Sequence, residues 1–308
     1  MVNNLDLIDK GILLALDANC RLSYQALAEL FGITATAVRK RFDRLITTGI
    51  IEEFSVVLKP AMMDSEYLIA LIHTDGIENE DDFIRQIGSN LNVIQVGELV
   101  TGVGRLYFVH CEYIGTQSLH DLGVFLRTIE SVNNIELHTT LTKRGKKLEL
   151  KKLHLRVLKC LIDDARMQVS EISELTGLAA RRISRVIQEL LDSDAVWFAT
   201  RWNLSLGGNT EFYLKIKYDN PVGGNEEIEE WLRKEFPLEY WYSYCSALEP
   251  ILFAKFVTEH YRDAQQISRI VKSNPFSKSV DVLLSYPVIK FPRLGRTKLQ
   301  EIISSAGV

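Results

Sequence analysis

Apolar residues recur at helical spacing along the opening of the chain: Leu5, Ile8, Ile12 and Leu16, then Leu27, Leu30 and Phe31, then Val38, Phe42, Leu45 and Ile46. The pattern predicts three short amphipathic helices. Gly32 falls between the second and third, where a glycine in the left-handed conformation permits a sharp turn, and Thr34 is placed to cap the third. Gly49 closes that helix, and the strand-like IIEEFSVVL follows. Three helices, a tight turn and a short β-ribbon spell a winged helix-turn-helix. Beyond it the periodicity gives strand, helix, strand, strand, helix, strand: YLIALIHTD, ENEDDFIRQIGSN, NVIQVGELV, RLYFVHCEYI, QSLHDLGVFLRTIES and IELHTTLTK. This is a βαββαβ unit with two helices on one face of an antiparallel sheet.

The same order then recurs. Aligning Asp17 to Ile51 with Ile162 to Val196 puts Arg21 on Arg166, Leu30 on Leu175, Gly32 on Gly177, Val38 on Ile183 and Leu45 on Leu190, an offset of 166 − 21 = 145. At that offset Glu66 and Tyr67 fall on Glu211 and Phe212, and Leu106, Tyr107 and Phe108 on Ile251, Leu252 and Phe253. Asp194 replaces Gly49, which predicts a less tight exit from the second copy's third helix. WFATRWNLSL takes the ribbon position, and a second βαββαβ run follows. The expected class is therefore α+β, a tandem repeat of winged helix-turn-helix plus ferredoxin-like domain. Its parts are 1–60 and 64–145, then 149–204 and 209–290, with a basic tail over 291–308. Each sheet leaves one face open, with Tyr107 and Trp241 among its bulky side chains, and another sheet is expected to cover it. A duplicated chain supplies one.

The 308 residues, with 46% hydrophobic and 25% charged, are ordinary globular composition and exclude a mainly disordered chain. Lys and Arg number 36 against 40 Asp and Glu, so the formal charge is −4 and any contact with nucleic acid needs a local cationic patch. The third helix has one. With Val38, Phe42 and Leu45 buried, Thr36, Arg39, Lys40 and Asp43 point outward and Arg41 and Arg44 lie at the flanks, so Thr34 to Thr48 holds four cations and one anion, a local +3. Such a helix suits the major groove: Arg39 and Lys40 reach base edges, Arg41 and Arg44 hold phosphates, and Thr34 and Thr36 share the surface. The second copy offers Arg181, Arg182 and Arg185 but adds Glu189 and Asp192, a net +1 that reads mainly as positioning. Glu52 and Glu53 argue against the first wing as a phosphate anchor, whereas Arg201 is a candidate in the second. In the tail, Lys290, Arg293, Arg296 and Lys298 read as a solvated linker and a short docking helix.

Catalytic and metal patterns are weak. Cys20, Cys111, Cys160 and Cys245 form no CxxC pair and read as reduced core residues. The six histidines include no HExxH, and His73, His110 and His138 fall in strands, where a hydrogen-bonded structural histidine is the commoner case. No P-loop, GxSxG or GxGxxG occurs, and the acidic run ENEDD opens a helix, where negative charge suits the dipole. No catalytic residue, metal or cofactor is expected. The start has no cationic, apolar leader and no apolar run approaches the ~18 residues of a membrane span, so the expected compartment is the cytoplasm, with no membrane partner.

The first segment resembles the N-terminal helix-turn-helix of the Lrp/AsnC (feast/famine) transcription regulators in Asp6, Asp9, Arg21, Ala28, Gly32, Val38, Arg41, Leu45 and Gly49-Ile50-Ile51. The βαββαβ unit is similar to that family's ligand-sensing RAM domain. The resemblance implies a sequence-specific regulator of double-stranded DNA whose sensing modules pair sheet to sheet, often with an amino acid or other small molecule bound between modules. Family members usually carry one unit per chain and dimerise; here the dimer is expected within one polypeptide, with higher homo-oligomers left open. The family's effector loop typically reads Thr-Gly-x-x-Asp. Thr101, Gly102, Gly104 and Arg105 stand there, with Ser246 to Pro250 in the second copy. The glycines survive only in the first and the aspartate in neither; Arg105 turns the loop towards an anion, or the pocket is lost. Two other classes stay open. Sirohaem decarboxylases use this architecture in paired form. A nucleoid-associated packing protein would bind DNA with little preference, against which the net charge and acidic wing speak.

Overall fold

The computed structural model describes residues 5–102, 104–141, 143–219 and 224–308. Asp6 and Asp9 open helix α1 (Leu7–Ala18) with a reciprocal cap, each carboxylate accepting the other residue's backbone N–H. Ser23 caps α2 (Tyr24–Phe31), Gly32 ends it at φ 65°, and Thr34 Oγ1 accepts from Ala37 N–H to start α3 (Ala35–Thr47). Strand β1 (Ile51–Leu58) follows. The second copy repeats the order as α6 (Lys152–Leu161), α7 (Val169–Thr176), α8 (Ala180–Asp192) and β6 (Val196–Trp202), with Gly177 at φ 67° in the turn. The expected looser exit at Asp194 is not found. Asp194 takes φ 57° where Gly49 takes 76°, a left-handed conformation that aspartate tolerates better than most side chains.

One unit comprises Asp6–Ser65, Lys143–Asn203 and Pro292–Val308. Within it β1 pairs antiparallel with β6, so the ribbon forms between the two copies rather than inside each. Backbone bonds repeat across this pairing: Cys20 N–H donates to Phe198 O (3.1 Å) and Ala165 N–H to Phe54 O (3.0 Å). Two arginines close it reciprocally. The Arg21 guanidinium donates to Ala165 O (2.5 Å) and Met167 O (3.2 Å), while Arg166 donates to Cys20 O and to Leu22 O (3.0 Å). Arg166 also lies 4.7 Å from the Phe42 ring centre. The tail helix α11 (Leu294–Ser305) adds Leu299 and Ile303 to a core that contains Val56, Leu158, Leu161, Ile183, Leu190 and Phe198.

The other unit gathers Leu5, Glu66–Thr142 and Leu204–Phe291. The first sensing module runs β2 (Ser65–Thr74), α4 (Glu80–Gly88), β3 (Val93–Leu99), β4 (Arg105–Ile114), α5 (Gly115–Thr128) and β5 (Val132–Leu141). The second runs β7 (Thr210–Tyr218), α9 (Asn225–Glu235), β8 (Tyr240–Ser246), β9 (Ile251–Thr258), α10 (Tyr261–Ser273) and β10 (Ser277–Ser285), followed by β11 (Ile289–Lys290). Strands order as β10-β7-β9-β8-β5-β2-β4-β3-β11, and β10 also pairs with β3, so the two four-stranded sheets join at both edges. The open faces cover each other as expected: Ile69, Leu71, Leu106 and Phe108 pack with Tyr213, Ile251 and Phe253, and the Phe108 and Tyr213 rings stack at 4.3 Å.

Two expectations are corrected. Tyr107 belongs to the helix-facing core with Phe83 and Leu122, and Phe108 is the residue between the sheets, because neighbouring residues of a strand face opposite ways. Nor does the offset of 145 hold throughout. His138 pairs with Ile69 and Leu283 with Tyr213, giving 283 − 138 = 145 but 213 − 69 = 144. Gly97 pairs with Phe108 and Tyr244 with Phe253, giving 244 − 97 = 147 but 253 − 108 = 145. A one-residue slip would have turned the core face of β7 outward, so the structure absorbs it before the strand.

Candidate nucleic-acid interface

Helix α3 buries Val38, Phe42 and Leu45 and leaves Thr34, Thr36, Arg39 and Lys40 exposed. Arg39 comes within 3.8 Å of Asp43, both largely in water, a pair of little strength. Arg41 and Arg44 are half-buried and already paired with carboxylates. Arg41 reaches Asp6 (2.5 Å) and Asp9 (2.9 Å), and Arg44 bonds to Asp9, whose side chain is completely buried. Partial burial pushes the Asp6 carboxyl up, but the Asp9 N–H and the Arg41 guanidinium hold it below the usual carboxylate range. These two arginines brace α3 against α1, a role beyond the phosphate contacts expected of them.

Helix α8 buries Ile183, Val186, Ile187 and Leu190 and turns Arg181, Arg182 and Arg185 to solvent. Among the described residues no carboxylate lies within 4.0 Å of these three guanidinium groups. Glu189, one turn beyond Arg185, instead faces buried His154 Nε2 at 3.3 Å. Because His154 Nδ1 accepts the Lys151 N–H, Nε2 carries the proton and donates to Glu189. At the ribbon Arg201 is claimed by Glu52 (2.8 Å) and Glu53 (3.4 Å), and Arg296 pairs with Glu53 and Asp163, so the ribbon presents matched charges. Arg293 lies over the Trp197 ring at 4.5 Å and Lys298 pairs with Glu301.

The loop of Thr101, Gly102, Gly104 and Arg105 is built on close backbone approach. A Cβ on Gly104, at φ 63°, would stand 2.3 Å from Thr74 O. Val103 lies outside the described residues. Arg105 donates to Glu78 O (3.1 Å) and lies 3.6 Å from Glu98. Glu78 in turn accepts from Thr74 (2.6 Å) and Tyr107 (2.9 Å). Burial, and next the charge of Glu80, push the Glu98 carboxyl up. The cation read as a seat for an anion is thus already neutralised. Ser246, aligned with this loop in the sequence, lies in β8, and the second copy's hairpin is shorter.

Asp9 and the Arg21–Arg166 exchange had no assigned role in the sequence, yet both left a trace there. Asp9 sits one turn before Ile12 on the apolar stripe of α1, a place where an acid needs a cation, and an arginine recurs at one position in both copies.

A description of the AsnC-type helix-turn-helix domain matches residues 5–46, and one of winged helix-turn-helix DNA-binding domains matches residues 150–196. An uncharacterized HTH-type transcriptional regulator of Pyrococcus horikoshii, PH0061, is 26% identical over 140 residues, 44% of this chain and 92% of its own length. Another from Pyrococcus furiosus, PF1231, is 28% identical over 132 residues, 43% of this chain and 84% of its own. The chain carries an AsnC-type helix-turn-helix and is similar to Lrp/AsnC regulators. It differs from these relatives in length, since each covers less than half of it, and it carries the helix-turn-helix twice. A solved siroheme decarboxylase, NirDL, matches 98% of the chain and all of its own with a TM-score of 0.56 at 13% identity, a likeness of fold alone. Among the described residues no helix is long and apolar enough to cross a membrane, and no cluster of three His, Cys, Asp or Glu is arranged to hold a metal ion.

Proposed function

We propose that this chain is an Lrp/AsnC-type transcription regulator that binds duplex DNA as an intrachain pseudo-dimer, one recognition helix from each copy. The observation that carries this reading is the surface of α3 and α8: Arg39 and Lys40 on one, Arg181, Arg182 and Arg185 on the other, all exposed, on helices whose opposite faces are locked into one core unit by the β1–β6 ribbon and the arginine exchange. Two unequal helices favour an imperfect inverted repeat with half-sites about one helical turn, or a multiple, apart. Selection from random duplexes by the purified full chain tests this. A consensus with partial two-fold symmetry supports it; recovery of unrelated sequences favours a packing protein and overturns it.

For an effector at Thr101, Gly102 and Gly104 the surroundings favour a cationic or zwitterionic molecule over an anion, since Glu78 and Glu98 already engage Arg105. Calorimetric titration with amino acids against simple carboxylates checks the preference. The decarboxylase alternative rests on fold likeness, and the stacked Phe108 and Tyr213 occupy the space between the sheets. Carbon dioxide release on incubation with sirohaem would support that alternative instead.

A further inference from the structure

The two helix-turn-helix copies are braced by polar contacts of opposite sense: carboxylates and arginines in the first, a hydrogen bond from a neutral histidine to a carboxylate in the second. In the first, the anion belongs to α1 and the cations to α3: Asp9 and Asp6 engage Arg41 and Arg44. At the matching places of the second, where 154 − 9 = 145 and 189 − 44 = 145, the donor is His154 on α6 and the anion is Glu189 on α8. Lys151 stands where Asp6 stood, and Val186 where Arg41 stood. The first brace therefore consumes two cations of its recognition helix, whereas the second uses Glu189 as a hydrogen-bond acceptor and spends none of the helix's arginines.

That inversion changes which helix keeps its cations unpaired for a ligand. On α3, Lys40 has no acidic neighbour within ion-pair distance among the described residues, and Arg39 is partly offset by Asp43. On α8, the anion one turn from Arg185 is drawn away to His154, and Arg181, Arg182 and Arg185 all stay exposed on the face opposite Ile183, Val186 and Leu190. Counting side chains along each helix gives the first copy the larger positive charge; counting exposed cations with no carboxylate within ion-pair distance among the described residues gives three on α8 against Lys40 on α3.

We propose that α8 supplies the larger, salt-dependent share of the grip on DNA phosphates, freed to do so by the inverted brace, and that α3 contributes the smaller share. This rests on the DNA-binding reading above. Each phosphate neutralised on a duplex steepens the fall of log affinity against log salt by about 0.9.

The test measures that slope for the full chain on a mixed-sequence duplex of about three helical turns. Replacing Arg181, Arg182 and Arg185 together by glutamine is expected to flatten it by roughly two to three. Arg39→Gln with Lys40→Gln should flatten it by about one, and Arg41→Gln with Arg44→Gln should leave it in place while lowering the melting temperature. Replacing the three α8 arginines by lysine keeps the charge and should keep the slope, which separates lost phosphate contacts from a misfolded helix. An unchanged slope in the glutamine triple variant, or a larger loss from the α3 pair, overturns the division of labour while DNA binding stands. A wild-type chain with no salt-dependent retention of the duplex overturns the DNA-binding reading and this one together.

Discussion

Asp9 has no side-chain contact with water and sits between two guanidinium groups, so its charge is supportable only while both partners stay in place. Asp9→Ala is expected to cost about 3 kcal/mol, read from urea unfolding, because it strands Arg41 and Arg44 at the helix junction. An effect under about 0.5 kcal/mol would mean that the brace is ornamental. Glu136 gives a prediction in pH. The bond from His138, opposed by burial and reinforced by Lys215, holds its carboxyl at about 2 against an ordinary 4.5. A lowered carboxylate contributes stability that is whole above the ordinary value and is lost as pH falls towards the folded one. Unfolding midpoints should therefore drop between pH 5 and pH 3, and Glu136→Gln should make that drop shallower; equal drops in both proteins would refute the assignment.

At the level of helices and strands, local signals were the readable ones. Ser23, Thr34, Gly32 and Gly177 act where the pattern placed them, since a cap or a left-handed glycine depends on neighbours in sequence. Gly32→Ala meets no steric contact, so its cost, about 1 kcal/mol by thermal unfolding, is conformational alone. The β1–β6 ribbon was not readable. Its partners, such as Val56 and Phe198, are far apart along the chain, and either copy alone looks able to make its own wing. The availability of Arg41, Arg44, Arg105 and Arg201 was hidden for the same reason: each is settled by a carboxylate that only the fold brings near. The tail helix yields another test. A Cβ on Gly295 would meet Leu58 O at 2.5 Å, a backbone atom that no rotamer can move, so Gly295→Ala should undock α11 and expose the last fifteen or so residues to limited proteolysis. Resistance equal to wild type would show that the contact yields.

For the molecule, the duplication was legible because Arg21 and Arg166, Gly32 and Gly177, and Leu45 and Leu190 keep step, and it correctly implied that each sheet would find its cover inside the same chain. The one-residue deletion that shifts β7 and the insertion that shifts β8 were not legible, because a one-residue slip leaves apolar residues aligned with apolar residues and only pairing shows which face they take. Arg166→Met keeps bulk but leaves the Cys20 and Leu22 carbonyls without their donor, and is expected to destabilise the helix-turn-helix unit by about 2 kcal/mol in urea titration. If the exchange also sets the separation of α3 and α8, the same variant should tolerate a wider range of half-site spacings in selected DNA; retention of one spacing would confine Arg166 to stability.

The reciprocal arginine exchange has a consequence for how such a molecule behaves and changes over time. Two separate subunits part when diluted, and a single altered codon necessarily appears on both sides of their axis. A tethered pair escapes both constraints: its partner stays present at high effective concentration however few copies a cell holds, and either half can acquire a new preference while the other keeps the old one.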